Sequence, residues 1–243
     1  MPKKKEAYFA DFLNQLKKDK VDTGKPVAQI EEKKYFLIVC EGIKTEPIYF
    51  NYLRDLLPEH LIETIEVKGQ GANTLAVVNA AIQKRDARLK DPLLPPYTEA
   101  WAIFDKDDFP ARNFDNAYAK AIANGVEPGI TNESFELWYI LHFRFLNTAI
   151  KRGQYIKILS GILAFKYGKD ENSGKKVVEQ LFKKGNIGRA IDWAEELEKL
   201  HVGKTPSDSC PYTRVHVLVE KLLDYAKYPY KRKGKKSGSN MAL

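Results

Sequence analysis

Hydrophobic and polar positions change rhythm twice along this chain. Tyr35-Phe36-Leu37-Ile38-Val39-Cys40 is an unbroken apolar run, as expected of a strand buried on both faces. Gly42 ends it, and Thr45 followed by Pro47 suits a helix entry, so 46–57 is predicted helical. Residues 62–67 are β-branched and weakly alternating, which predicts a second strand. After the loop Gly69-Gln70-Gly71, Asn73 is the expected cap of a helix over 74–90, with Leu75, Val78, Ala81 and Ile82 on one face. A proline-rich turn at 92–96 leads to a third strand over 99–104 and a helix over 112–124. A short strand over 126–131 and an apolar helix over 134–145 follow. Beyond 145 the strands give out. Helical spacing recurs over 150–165, 174–184, 186–201 and 212–226, with loops at 168–173 and 203–209. Upstream, a short helix over 6–18 and a polar linker over 22–34 precede the first strand.

Strands that alternate with helices imply βαβ crossovers. The expected fold class is therefore α/β: a Rossmann-like, mostly parallel sheet flanked by helices, with a C-terminal helical region. The expected organisation is an N-terminal extension over 1–33, an α/β domain over 34–145, a basic helical region over 146–226 packed on it, and a disordered basic tail over 227–243.

Charge sharpens this picture. The 243 residues carry 40 basic and 32 acidic side chains, net +8, which suits a polyanionic partner. No apolar run approaches the ~20 residues of a membrane span. No signal-type apolar segment follows Met1-Pro2-Lys3-Lys4-Lys5-Glu6, and Cys40 and Cys210 are the only cysteines, so a reducing cytoplasm is the expected setting. The charge is unevenly placed. Residues 35–136 hold 10 basic against 16 acidic residues, net −6, whereas 144–189 hold 11 against three, net +8. The first 20 residues add +3 and the last 17 add +6, the latter without a single acid. That tail reads either as a solubilising end or as a nucleic-acid-binding arm.

Two predicted strand ends carry clustered acids: Glu41-Gly42 after the first and Asp105-Lys106-Asp107-Asp108 after the third. Ligands of open parallel sheets bind beyond the C-terminal strand ends, so both clusters face one crevice if the strands are neighbours. Positions i and i+2 of an extended segment share a side, which would let Asp105 and Asp107 bind one cation. Carboxylates about 4 Å apart repel by about 4 kcal/mol at an effective dielectric near 20, so a trio needs a cation or a shared proton. Hard oxygen donors partly open to water suit Mg²⁺ or Mn²⁺. Asp108 reads as a turn or cap residue.

This ordered pair, strand–Glu-Gly then strand–Asp-x-Asp, resembles the Toprim domain of topoisomerases, primases and several nucleases. More closely, Cys40-Glu41-Gly42-Ile43-Lys44-Thr45-Glu46-Pro47, Phe104-Asp105-Lys106-Asp107-Asp108-Phe109, Ser134-Phe135-Glu136-Leu137-Trp138 and Pro211-Tyr212-Thr213-Arg214-Val215-His216 resemble the motifs of the RloB-like family, over about 34–224. One departure is Asn132-Glu133-Ser134, where the family pattern has an Asn-Pro pair. The resemblance implies a divalent-metal-dependent nuclease associated with restriction-modification and phage-defence loci. It also implies Asp105 and Asp107 as metal ligands, and Glu41 as general acid/base or further ligand.

Glu46 reads either as an acid favoured by its helix dipole or as a second metal ligand, and Glu136 either as a helix-terminal acid or as the closure of a two-metal site. His142, among Leu141 and Phe143, reads as a core or interface histidine rather than a catalytic base. Lys166, Lys169, Lys175, Lys176, Lys183, Lys184 and Arg189 interleave with Phe165, Tyr167 and Phe182, either as a solvated face or as a nucleic-acid surface of lysines on phosphates and rings on bases. Other chemistries fail. The stretch from Gly168 to Lys176 is one residue too long for a P-loop and has no hydroxyl after its lysine. Gly69-Gln70-Gly71 lacks the third glycine of a dinucleotide fingerprint, and neither the four histidines nor the two cysteines show zinc or thiol-catalysis spacing. The expected partners are thus nucleic acid, RNA or DNA, and a protein of a defence or restriction locus, with no membrane. The competing reading is a catalytically silent Toprim-like module that binds nucleic acid or such a protein.

Overall fold

A computed structural model describes residues 33–62, 65–69, 73–168 and 170–233. The helix expected over 6–18, Lys169 and the tail beyond 233 lie outside the described residues. Among those described, five strands form one sheet of order β2-β1-β3-β4-β5. They are β1 (Phe36–Cys40), β2 (Ile65–Gly69), β3 (Glu99–Asp105), β4 (Glu127–Asn132) and β5 (Tyr212–Thr213). The first four pair in parallel and β5 runs antiparallel to β4. The helices are α1 (Thr45–Asp55), α2 (Glu59–Ile62), α3 (Thr74–Leu89), α4 (Ala111–Ala123), α5 (Glu136–Leu141), α6 (Arg152–Leu163), α7 (Glu171–Lys184), α8 (Ile187–Leu200) and α9 (Val215–Tyr225). This is a mixed α/β architecture, a mostly parallel sheet flanked by helices and followed by a helical region, consistent with a Rossmann-like fold.

The unbroken apolar run of β1 serves two cores by strict alternation. Phe36, Ile38 and Cys40, with Trp101 and Ile103 of β3, face a core completed by α1, α5 and the helices from α6 to α9. Leu37 and Val39, with Ala100, Ala102 and Phe104, face α3 and α4. The C-terminal helices thus share one core with the sheet.

Several boundaries differ from the sequence pattern. β2 begins three residues late and a helical turn, α2, takes the preceding stretch, because the parallel register Phe36↔Ile65 to Cys40↔Gly69 fixes the strand. Its last residue must be glycine: a Cβ on Gly69 would sit 2.8 Å from Ile43 Cα and 2.9 Å from Gly42 O, against backbone that cannot yield. Asn73 caps α3 as expected, accepting from Ala76 N at 3.0 Å. At α1, Lys44 rather than Thr45 holds the N-cap, without a side-chain bond. The apolar helix over 134–145 contracts to α5. Asp170 starts α7 inside an expected loop by accepting from Ser173 N at 2.9 Å. The predicted helix over 212–226 begins instead with β5, whose Thr213 pairs with Thr131. The described part of the tail is anchored: Arg232, its side chain 5% exposed, pairs with Asp192, Glu195 and Glu220.

Candidate functional site

The chain leaves β1 toward β2 and returns to β3 on its other side, so the crevice beyond β1 and β3 is a topological switch point. The ladder fixes both acids there. Cys40 lies in register with Ile103, and Glu41 N continues the pairing to Ile103 O at 2.8 Å. Glu41 Oε2 then accepts from Asp105 N at 3.1 Å. Asp105 ends β3, and its Oδ2 accepts from Phe135 N at 3.0 Å, tying the strand to the entry of α5. Glu136, the first residue of α5, accepts from Tyr167 OH at 3.2 Å through Oε1. Glu46 in the first turn of α1 folds over Gly42, where a Cβ would collide with its carboxylate.

Glu41, Glu46, Asp105, Asp107, Glu136 and Arg152 line one cavity of about 290 Å³. Burial pushes Glu41 up from 4.5 to about 7, the Glu46 and Asp107 charges adding while the Asp105 amide and Arg152 oppose. Asp105, 5% exposed, is driven well above the ordinary carboxylate range by burial and by the charges of Glu46, Glu136 and Glu41. Burial alone would lower Arg152, but Glu136, Asp105 and Asp107 outweigh it and hold the guanidinium above its ordinary value.

The structure brings Glu41, Glu46, Asp105, Asp107 and Glu136 to one cavity, but engages Asp107 differently. The strand stops at Asp105, and Asp107 has φ +41°, so the extended-segment argument for two aspartates side by side fails. Asp107 instead meets Arg152 Nη1 in an ion pair. Phe109 N bonds Lys106 O at 3.1 Å to close this turn, with exposed Asp108 inside it.

Among the described residues, no group of three or more His, Cys, Asp or Glu side chains is arranged to hold a metal ion. The donor chemistry nevertheless fits a hard divalent cation. Asp105 Oδ1 and Glu136 Oε2 are buried carboxylate oxygens without a partner among the described residues, on residues lining the same cavity. Buried unpaired carboxylate oxygens are costly, and oxygen-only donors suit Mg²⁺ or Mn²⁺. Asp105 and Glu136, with Glu41 and Glu46 beside them, are the residues that could hold one.

The basic residues are more dispersed. Lys175 pairs with Glu171 at 2.6 Å and Lys183 with Glu179 at 3.8 Å along α7. Lys176 lies over Phe165 at 4.3 Å and Arg189 over Trp193 at 4.9 Å, while Lys166 and Lys184 are exposed. The interleaved rings do not form an open stacking platform: Phe182 packs on Tyr52 at 4.9 Å, and Tyr167 is buried against Glu136. His142 is a core histidine, its Nδ1 2.9 Å from Trp138 O, and burial lowers its pKa to about 4.

Sequence reasoning missed Arg152 as a site residue and offered Tyr167 only as a base-stacking ring, not as a partner of the acidic site. Arg152 had a local signal: with Lys151 at the N-cap, two cations stand at the helix end where the dipole disfavours them. Tyr167 had none, since only the tertiary fold brings it to Glu136.

Fold and site together define an α/β protein with a buried acidic crevice at the switch point of a parallel sheet. Residues 36–222 match the family model described as RloB-like protein, and the chain belongs to that family. No curated protein and no solved structure matches the chain. No helix among the described residues is long and apolar enough to cross a membrane.

Proposed function

We propose that this RloB-like protein is a divalent-metal-dependent nuclease of Toprim type that hydrolyses nucleic-acid phosphodiester bonds in anti-phage defence, with Mg²⁺ or Mn²⁺ as cofactor. One observation carries the reading: at the ends of adjacent parallel strands the Glu41 carboxylate accepts from the Asp105 amide, and Glu41, Asp105 and the buried Glu136 line one cavity in which an oxygen on each of Asp105 and Glu136 lacks a partner among the described residues. The defence assignment comes from the loci with which RloB-like proteins are associated.

In this reading a cation would neutralise phosphate charge and lower the pKa of an attacking water. Asp105 and Glu136 would hold it, each carrying a buried oxygen without a partner among the described residues. Tyr167 and the Phe135 amide fix their orientation by holding the opposite oxygens. Glu41, which burial raises to about 7 in the metal-free protein, would take a proton from the attacking water or return one to the leaving oxygen through its carboxylate. Its Oε2 stays oriented by the Asp105 amide.

The test is cleavage of labelled tRNA, single-stranded RNA and DNA by the full chain with Mg²⁺, Mn²⁺ or EDTA. Asp105→Asn is expected to slow metal-dependent cleavage by at least about 100-fold, the loss of a few kcal/mol. Identical behaviour of wild type and variant on every substrate would sink the reading. A second reading, a silent module that binds nucleic acid or a defence protein, draws on the lack of a preformed three-residue metal group among the described residues. Binding without turnover that survives Asp105→Asn favours it.

A further inference from the structure

We infer that Arg152 is the residue that receives a substrate phosphate in this cavity, and that Asp107 holds it in reserve until a cation shares the acidic site; the inference rests on the metal-dependent reading above. Five carboxylates line the cavity, and the cationic side chains among its lining residues are Arg152 and the exposed Lys44. A phosphodiester entering that field needs more than a bound cation, because the surrounding acids repel it. Arg152 stands where it can supply the missing donor.

Its placement runs against local preference. Arg152 is the first residue of α6, at the end where the helix dipole favours acids, and the neighbouring Lys151 is spent on Glu133 at 3.3 Å. A departure of this kind is common at functional sites. Its engagement is also incomplete. Nη1 donates to Asp107, whereas Nε is buried and has no partner among the described residues. The side chain remains 31% exposed. A guanidinium offers five N–H donors in a planar fork matched to two oxygens of a carboxylate or phosphate.

Arg152 and a divalent cation compete for the same negative charge. Glu136, Asp105 and Asp107 all act on Arg152, and the first two are the proposed metal donors. Arrival of a cation weakens the hold of these acids on the guanidinium and frees its fork for the phosphate that the cation also attracts. A purely structural Arg152–Asp107 bridge, pinning the 105–109 turn to α6, would lower stability when broken and would leave metal affinity unchanged or reduced.

The experiment is calorimetric titration of the full chain with Mn²⁺ alone, for wild type, Arg152→Gln and Arg152→Lys, alongside cleavage of a labelled oligonucleotide at saturating Mn²⁺. Removing a positive charge beside a divalent ion should tighten Mn²⁺ binding by Arg152→Gln at least about tenfold. Its turnover at saturating Mn²⁺ should fall by about 100-fold or more. Arg152→Lys keeps the charge and loses the fork, so its Mn²⁺ affinity should stay within about threefold of wild type while turnover falls about tenfold or more. Unchanged or weaker Mn²⁺ binding by Arg152→Gln overturns the inference, and so does undiminished turnover in either variant. If Arg152→Gln fails to fold, wild-type turnover by Arg152→Lys still overturns it. If wild type itself binds no Mn²⁺, the metal-dependent reading falls and takes this inference with it.

Discussion

Replacing Glu41 with glutamine should make the protein less sensitive to alkali, and the geometry fixes the sign and size. Glu41 accepts from the Asp105 amide, a bond that a glutamine oxygen can also accept, so Glu41→Gln removes the ionisable group and little else. Burial, assisted by Glu46 and Asp107, raises its pKa from 4.5 to about 7. The folded protein therefore keeps a proton that the unfolded chain gives up. The stabilisation this brings is fully present below about 4.5 and is lost as pH rises through about 7. A displacement of that size corresponds to roughly 3 kcal/mol, which partial contact with solvent cuts to about 1–3 kcal/mol. Urea unfolding in EDTA at pH 5 and pH 8 measures it: wild type should lose about 1–3 kcal/mol more than Glu41→Gln between the two. Parallel stability curves for the two proteins would refute the claim that Glu41 is held protonated by its surroundings.

Two further outcomes follow from charges away from the crevice. Arg232→Ala leaves Asp192, Glu195 and Glu220 facing one another around a side chain that was 5% exposed, and should cost about 3–5 kcal/mol in urea unfolding. A loss below about 1 kcal/mol would mean that the C-terminal segment is not anchored there. On α7, removing Lys176 and Lys183 together should reduce the slope of log affinity against log salt by about 2 for a duplex if both contact phosphates. An unchanged slope would assign them to a solvated face, which the Lys183–Glu179 pair already favours in part.

What was legible in the sequence depended on whether its cause was local. The run ending in Cys40-Glu41 and the strand ending in Asp105 could be read because burial on both faces demands uninterrupted apolar residues, and a parallel ladder then aligns their ends. Asn73 could be read because a cap acts three residues away. β5 could not: two residues, Tyr212 and Thr213, become a strand only because β4 offers an unpaired edge. Asp107 misled for the opposite reason. Its spacing from Asp105 implied a shared side only while the chain stayed extended, and the left-handed turn after Asp105 breaks that premise. Glu136 was placed correctly at the head of its helix, but the reason it matters, a buried oxygen with no partner among the described residues, arises from packing alone.

The arrangement also changes what the uneven charge means. From sequence, an acidic half and a basic half divided the work, chemistry in one and grip in the other. In the fold, the basic half enters the acidic crevice: α6 supplies Arg152 to Asp107, and the segment before α7 supplies Tyr167 to Glu136. The α7 lysines, meanwhile, are partly matched by acids of their own helix. Exposed pairs of that kind are worth little, whereas a guanidinium beside carboxylates in a partly buried cavity interacts strongly because water screens it less. Within the acidic crevice, the cation that acts on the carboxylates is therefore not in the densest lysine cluster. It is Arg152 at a helix end, paired with Asp107 and held charged by Glu136 and Asp105, and on the proposed reading it would be the residue to tune cation affinity and phosphate placement.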